Sequence, residues 1–146
     1  MPVTAALGRE TPVVVRAVDE LWLVARPTAL CCARLFAASV SQRWDLVPGV
    51  ASVVDAALVE LTAHSIATTS GAVSDELVLR LSLYSEAVGV EVWDTGSVDP
   101  DPRLAGARVL AAVEGWGSTV HGHRGRVVWC LVATAPAGSG LGEGLC

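Results

Sequence analysis

The chain has 146 residues, of which 52% are hydrophobic and 17% are charged. This length and apolar content predict a single domain with one core, and they exclude intrinsic disorder over most of the chain. Acidic residues outnumber basic ones by 15 to 10, which gives a formal net charge of -5, and no run of Lys or Arg could follow a phosphate backbone. A nucleic-acid partner is therefore not expected.

The sequence also bears on cellular location. The start of the chain lacks a basic segment followed by an apolar one, and the longest uncharged run, residues 127–142, contains Pro136 and several glycines. Neither a signal peptide nor a membrane span is expected. The four cysteines form no recognisable disulfide or metal framework, so a reducing cytoplasm is the predicted location.

The first half of the chain predicts a strand followed by two helices. Residues 1–19 form an N-terminal segment without periodicity, in which residues 13–15 are a candidate edge strand. Residues 21–25 predict a strand that ends before Pro27. From Thr28 onward, a stripe of residues spaced by three and four predicts a helix: Leu30, Ala33, Ala37, Val40 and Trp44. A second helix is predicted over residues 50–68, after the Pro48-Gly49 break.

The second half predicts two hairpins with a helix between them. Residues 77–84 alternate between leucines and other residues and lead into an apolar run at 88–93, which predicts a β-hairpin. Residues 116–120 and 126–133 predict another. A loop at 94–103 and a third helix at 104–114, ended by Gly115, are expected to join them.

These elements predict the fold class. Strands in hairpins, together with helices whose single apolar stripes each need covering, predict an α/β (α+β) two-layer sandwich. A mixed, mostly antiparallel sheet is expected to carry about three helices on one face. The folded domain is predicted to span residues 20–133, with a flexible, glycine-rich tail at 134–146.

Several short motifs occur in a suggestive order along these elements: Ala33-Arg34, Trp44-Asp45-Leu46, Glu60-Leu61, Val92-Trp93-Asp94-Thr95-Gly96 and Val127-Val128-Trp129. Together they resemble the bacterial anti-sigma-factor serine kinases of the histidine-kinase-like ATPase superfamily. The resemblance covers roughly residues 20–133. It implies the histidine-kinase-like ATPase fold, ATP and magnesium as cofactors, a homodimer, and a sigma factor or an anti-anti-sigma factor as protein partner.

The resemblance assigns adenine recognition to Asp94 and Gly96, which match the family's Asp-x-Gly box. A carboxylate can accept a hydrogen bond from the exocyclic amine of adenine, and a glycine lets the base approach the backbone. The alternative is that Asp94-Thr95-Gly96 is a turn after a strand, which is the commoner role of this tripeptide.

The same resemblance makes Glu60 the general base that activates a serine hydroxyl of the partner. His64 stands where the family has a magnesium-binding Asn. Magnesium prefers oxygen ligands, so this substitution puts metal-assisted phosphoryl transfer in doubt. The alternative for Glu60 and His64 is an exposed pair on a helix surface, worth about 0.3 kcal/mol.

The remaining family positions are also altered. Gly106 and Arg108 match the second glycine box, whose free N–H groups hold phosphate, but Ala107 and Val109 replace its other glycines. Val127 stands where the family usually places an adenine-contacting threonine. The expected phosphate cradle is therefore weaker than in an active kinase.

Other candidate sites carry less support. His121 and His123 with His64 could form a metal site, but a third ligand near the His-x-His pair is lacking. The adjacent Cys31 and Cys32 are expected to be small buried hydrophobes rather than redox groups. Most of the five tryptophans are expected to serve core packing.

Two functional hypotheses follow, and a third interpretation is that the resemblance is accidental. The first is a regulatory ATP-binding protein that resembles anti-sigma-factor serine/threonine kinases, with weakened phosphotransfer and Glu60 as base. The second is a non-catalytic interaction module that binds a sigma factor or an anti-anti-sigma factor without ATP. The third is that an Ala- and Val-rich α/β domain carries these motifs by chance.

Overall fold

The computed structural model describes residues 14–68, 75–95, 115–120 and 125–134 of the chain. The elements follow one another as β1 (Val15–Val24), α1 (Ala29–Arg43), α2 (Pro48–Thr68), β2 (Glu76–Tyr84), β3 (Ala87–Asp94), β4 (Gly115–Val120) and β5 (Arg126–Ala133). Both helices and both hairpins that the sequence predicts in these ranges are confirmed. The predicted third helix, residues 104–114, lies outside the described residues.

The five strands form one sheet in the order β1-β2-β3-β5-β4. All four pairings between the described strands are antiparallel. The expectation of a mixed sheet is therefore wrong for this part of the chain. Neither helix serves as a crossover between adjacent parallel strands, which a parallel pair would need.

Strand β1 begins at Val15, inside the segment that showed no sequence periodicity. Its pairing with β2 is regular from Ala17 to Val24, and the register shifts between Val15 and Ala17. Burial alternates along the whole strand. The strand extends this far because β2 offers a long pairing partner, which sequence alone does not reveal.

Both described helices pack on one face of the sheet, which is compatible with the predicted two-layer arrangement. The helices contribute small or branched apolar side chains to the core: Ala33, Ala37, Val40, Val54, Leu58 and Leu61. The sheet contributes alternate residues from three strands: Leu77, Leu79, Leu81, Val88, Val90, Val92, Val128, Cys130 and Val132. Alternation places the intervening residues on the opposite face, which we call the outer face.

Helix α2 is long and apolar. It has 21 residues, and an 18-residue window of it has a mean hydropathy of 1.4, which by length and composition alone would suffice to cross a membrane. A core helix meets the same criterion, and the buried residues of α2 pack against α1 and the sheet. The helix is therefore accounted for by its place in the core.

The outer face has a smaller apolar cluster near β5. Tyr84, Ala87, Trp129 and Leu131 are buried there, and Val15 packs against them. The indole of Trp129 lies so close to Gly117 of β4 that a side chain at Gly117 would overlap the ring.

Candidate functional site

The candidate site lies at the end of the sheet where β3 finishes and β5 starts. Asp94 and Arg126 are partners in the β3–β5 register. Both side chains are buried, with residue exposures of 4% and 1%. Arg126 Nε donates to Asp94 Oδ1 and Oδ2, each at 2.9 Å. The Asp94 carboxylate is therefore engaged by a guanidinium from the neighbouring strand.

Arg126 also ties the end of α2 to the sheet. Its Nη2 donates to Thr68 Oγ1, and the Thr68 hydroxyl donates to the His64 carbonyl oxygen at 2.8 Å. The last turn of α2 thus contacts the Asp94–Arg126 pair. A charge-assisted hydrogen bond of this kind is stronger than a neutral one, so it links α2 to the sheet.

A second polar contact closes the same end of the sheet. Thr95 Oγ1 donates to Asp75 Oδ1 at 3.3 Å, and the Ala25 N–H donates to the Asp75 carbonyl oxygen at 3.0 Å. These bonds connect the residues that follow β1 and β3 with the residue that precedes β2. The polar groups near Asp94 are held in place by backbone and side chains alike.

Glu60 and His64 lie on α2 and are both half-buried. The pair that was expected to be exposed on the helix surface is therefore half-buried. The contact of Thr68 with Arg126 brings the last turn of the helix, whose His64 carbonyl accepts from Thr68, to Asp94. Glu60 lies one turn further from that end.

The side chain of Val127 lies on the opposite face of the sheet from Asp94. Arg126 faces Asp94 and Val128 belongs to the core cluster, so alternation turns Val127 to the outer face, where it is Trp93's partner in the register. Val127 therefore cannot stand in for a threonine beside Asp94. The residue of β5 that faces Asp94 is Arg126, which the sequence reading did not single out.

Several predicted site residues cannot be placed. Gly96, Gly106 and Arg108 lie outside the described residues, as do His121 and His123. Within the described ranges, no group of three or more His, Cys, Asp or Glu side chains could hold a metal ion. His64 offers a ring nitrogen where magnesium prefers oxygen, so the residues described here do not fit the magnesium ion that the resemblance implies.

A polar cluster on the outer face of the sheet was not predicted from the sequence. Arg80 Nε donates to Glu20 Oε2 at 2.5 Å, and the guanidinium carbon lies 5.8 Å from the centroid of the Trp93 ring. Glu91 is fully buried beside them. Its Oε1 accepts a hydrogen bond from Trp93 Nε1 at 2.8 Å and lies 3.7 Å from Arg80 Nη1. The sequence feature that could have predicted this cluster is Glu91 itself, a glutamate in the middle of the mostly apolar strand β3.

The Glu91 carboxyl group is electrostatically unusual. Burial raises its pKa above the ordinary 4.5, while the hydrogen bond from Trp93 and the charge of Arg80 lower it by less. Its Oε2 is buried without a hydrogen-bond partner. A proton on this group is therefore favoured more than on an exposed glutamate.

The three cysteines in the described part of the chain differ in burial. Burial raises the pKa of the Cys130 thiol to about 12, so this thiol stays protonated. Cys31 is exposed and Cys32 is half-buried, which corrects the expectation that both are buried hydrophobes. The helix turns Ala29, Ala33 and Ala37 to the core, and Cys31 falls on the opposite side of that stripe.

No protein-family model matches the chain, and no curated protein is similar enough to count as a match.

Proposed function

We propose that this chain is a regulatory protein-interaction module of the histidine-kinase-like ATPase fold, acting without ATP. The observation that carries this proposal is the buried ion pair of Asp94. In the kinases that the chain resembles, the matching carboxylate accepts the adenine amine. Here both of its oxygens accept hydrogen bonds from Arg126 Nε at 2.9 Å.

Displacing Arg126 to admit a nucleotide would be costly. Arg126 is 1% exposed, and a buried charge that loses its partner destabilises a protein by several kcal/mol, about 3–5. An adenine amine is neutral and cannot replace a guanidinium as the counter-charge of Asp94. The loss of the magnesium-binding Asn to His64 adds a second obstacle to catalysis.

The proposed partner is a sigma factor or an anti-anti-sigma factor, as the resemblance implies, and the proposed location is the cytoplasm. One observation keeps a kinase as the second candidate. The helix that carries Glu60 and His64 ends against the Asp94–Arg126 pair, so the candidate base and the candidate adenine contact belong to elements that touch each other. In that case Glu60 would activate a serine hydroxyl of the partner.

Isothermal titration calorimetry with ATP and ADP, with and without magnesium, separates the two candidates. The module predicts no measurable binding at millimolar nucleotide, both for the wild type and for Asp94→Asn. Micromolar ATP binding by the wild type that is lost in Asp94→Asn would contradict the module and support the kinase.

Biolayer interferometry tests the proposed partners. We expect purified sigma and anti-anti-sigma factors from the same genome to bind the chain equally with and without ATP.

A further inference from the structure

Two buried polar side chains on the outer face have unsatisfied oxygen atoms. Ser82 and Glu91 are both 0% exposed. Within the part of the chain that the structure describes, Ser82 Oγ and Glu91 Oε2 have no hydrogen-bond partner. Buried polar groups in native proteins are nearly always paired, with protein or with ordered water, because an unpaired one keeps the full cost of losing its hydration. Both oxygens therefore call for a partner.

The strand register makes these two side chains neighbours. Arg80 is the partner of Glu91 in the β2–β3 pairing, and Ser82 is the partner of Gly89. The residues on either side of Ser82 and of Glu91 pack in the core, so both side chains point to the outer face. Such diagonal neighbours have Cα atoms roughly 7–8 Å apart. A single atom placed between the two side chains can therefore hydrogen-bond to both.

Gly89 shapes the place between them. It lies in β3 with Ser82 as its partner on β2 and Leu131 as its partner on β5. Because glycine has no side chain, the outer face carries no β3 side chain at this position, directly beside Glu91. The neighbouring side chains of Ser82, Glu91 and Leu131 are all buried, so only a small molecule fits there.

The charged groups around Glu91 disfavour an ion at this place. From β2, Arg80 Nη1 lies 3.7 Å from Glu91 Oε1, and from β1, Glu20 forms an ion pair with Arg80. From β5, the facing residue is the uncharged Trp129. A cation would meet the Arg80 guanidinium, and an anion would meet the carboxyl groups of Glu20 and Glu91. The surroundings therefore favour a neutral molecule that both donates and accepts hydrogen bonds.

We propose that Ser82 Oγ and Glu91 Oε2 bind one buried water molecule on the outer face, beside Gly89. The water donates a hydrogen bond to Glu91 Oε2 and accepts one from the Ser82 hydroxyl. Buried waters in globular proteins typically satisfy otherwise unpaired polar groups in this way. The inference goes beyond the proposed function, because neither Asp94 nor a regulatory partner takes part in it.

A crystal structure of the full chain, at a resolution that shows ordered water, tests the site directly. It is expected to show a solvent peak about 2.7–3.2 Å from both Ser82 Oγ and Glu91 Oε2. A direct hydrogen bond between the two side chains would overturn the proposal. So would a side chain from elsewhere in the chain at this place, or the absence of any density there.

The pKa of Glu91, measured by NMR titration of its side-chain carboxyl carbon, tests the site in solution. Ser82→Ala removes one partner of the water, and Gly89→Ala adds a methyl group where the water is placed. Both variants are expected to leave Glu91 less hydrated and to raise its pKa further, by about half a unit or more. The matched control is Ser65→Ala, which removes an equally buried, unpaired hydroxyl from α2 on the other face and is expected to leave the pKa unchanged.

The variants also distinguish the water from a direct contact. If Ser82→Ala raises the pKa of Glu91 but Gly89→Ala does not, the serine acts on Glu91 without a water and the proposal is wrong. An unchanged pKa in Ser82→Ala, or an equal rise in Ser65→Ala, would overturn it as well. Circular dichroism melting shows whether each variant is folded at the temperature of the titration, and the wild-type crystal structure decides the question if one is not.

Discussion

Glu91 is the residue whose chemistry the fold changes most clearly. It sits in β3 on the outer face, fully buried, between Trp93 and Arg80. Burial disfavours the charged carboxylate more than its two neighbours favour it, so its pKa is raised from the ordinary 4.5. A group with a raised pKa in the folded state stabilises the fold fully at low pH. That contribution is lost as the pH rises through the folded-state pKa.

Glu91→Gln is expected to remove this pH dependence. The amide oxygen can still accept the Trp93 hydrogen bond, but the amide does not ionise. The variant should therefore become more stable relative to the wild type as the pH rises from below 4.5 toward neutrality. Urea unfolding of both proteins at a series of pH values measures the difference.

Glu86→Gln provides the control, because Glu86 is exposed in the turn between β2 and β3. It removes one carboxylate without changing a buried group. If Glu91→Gln and Glu86→Gln follow the same pH profile, burial of Glu91 has no energetic consequence and the account of this residue is wrong.

Asp94 illustrates what a motif can and cannot predict. The sequence places an Asp-x-Gly box after a strand, and Asp94 does end a strand, β3. Its partner is Arg126, 32 residues away, and the pair meets only because β3 and β5 are neighbours in the sheet. No local pattern encodes that pairing. The Asp-x-Gly motif alone therefore could not predict that Arg126 is the hydrogen-bond partner of the Asp94 carboxylate.

At the scale of elements, local periodicity predicted most of what the structure describes. The helical stripes and the alternating leucines of β2 are local signals, and they fix α1, α2 and the first hairpin. Strand β1 was predicted too short because its first half is a mixture of charged and apolar residues. Its extent depends on β2, which follows much later in the chain.

The start of β5 depends on a glycine. Gly125 has φ of 99°, and a side chain there would overlap the Asp94 carbonyl oxygen. Gly125→Ala is expected to lower the free energy of unfolding by about 2 kcal/mol or more, because it adds both a strained φ and a collision. Chemical denaturation of the purified variant measures this loss.

Gly49→Ala is the matched control, because Gly49 lies in the first turn of α2 with nothing within 4 Å of the added carbon. A helical glycine replaced by alanine is expected to gain about 0.5–1 kcal/mol. If Gly125→Ala were as stable as Gly49→Ala, the positive φ of Gly125 and its close approach to the Asp94 carbonyl oxygen would not be required at the start of β5.

At the scale of the whole molecule, two layers followed from the sequence but strand order did not. Helices with a single apolar stripe need a covering layer, and the predicted hairpins supply a sheet, whatever the order of its strands. The order β1-β2-β3-β5-β4 requires contacts between distant segments, and one of these creates the Asp94–Arg126 pair. The sequence therefore predicted that Asp94 ends a strand and that Glu60 and His64 lie on a helix. It did not predict the β3–β5 register, which turns Val127 away from Asp94.

We propose that Asp94 serves the fold through Arg126 rather than a nucleotide. The most direct test is the free energy of unfolding of Asp94→Asn, compared with Asp55→Asn, which breaks the exposed Arg34–Asp55 ion pair. We predict a loss of about 3 kcal/mol or more for Asp94→Asn, because Arg126 is left charged and buried. For Asp55→Asn we predict less than about 1 kcal/mol. Equal, small losses for the two variants would contradict the claim and leave the Asp94 carboxylate available to a ligand.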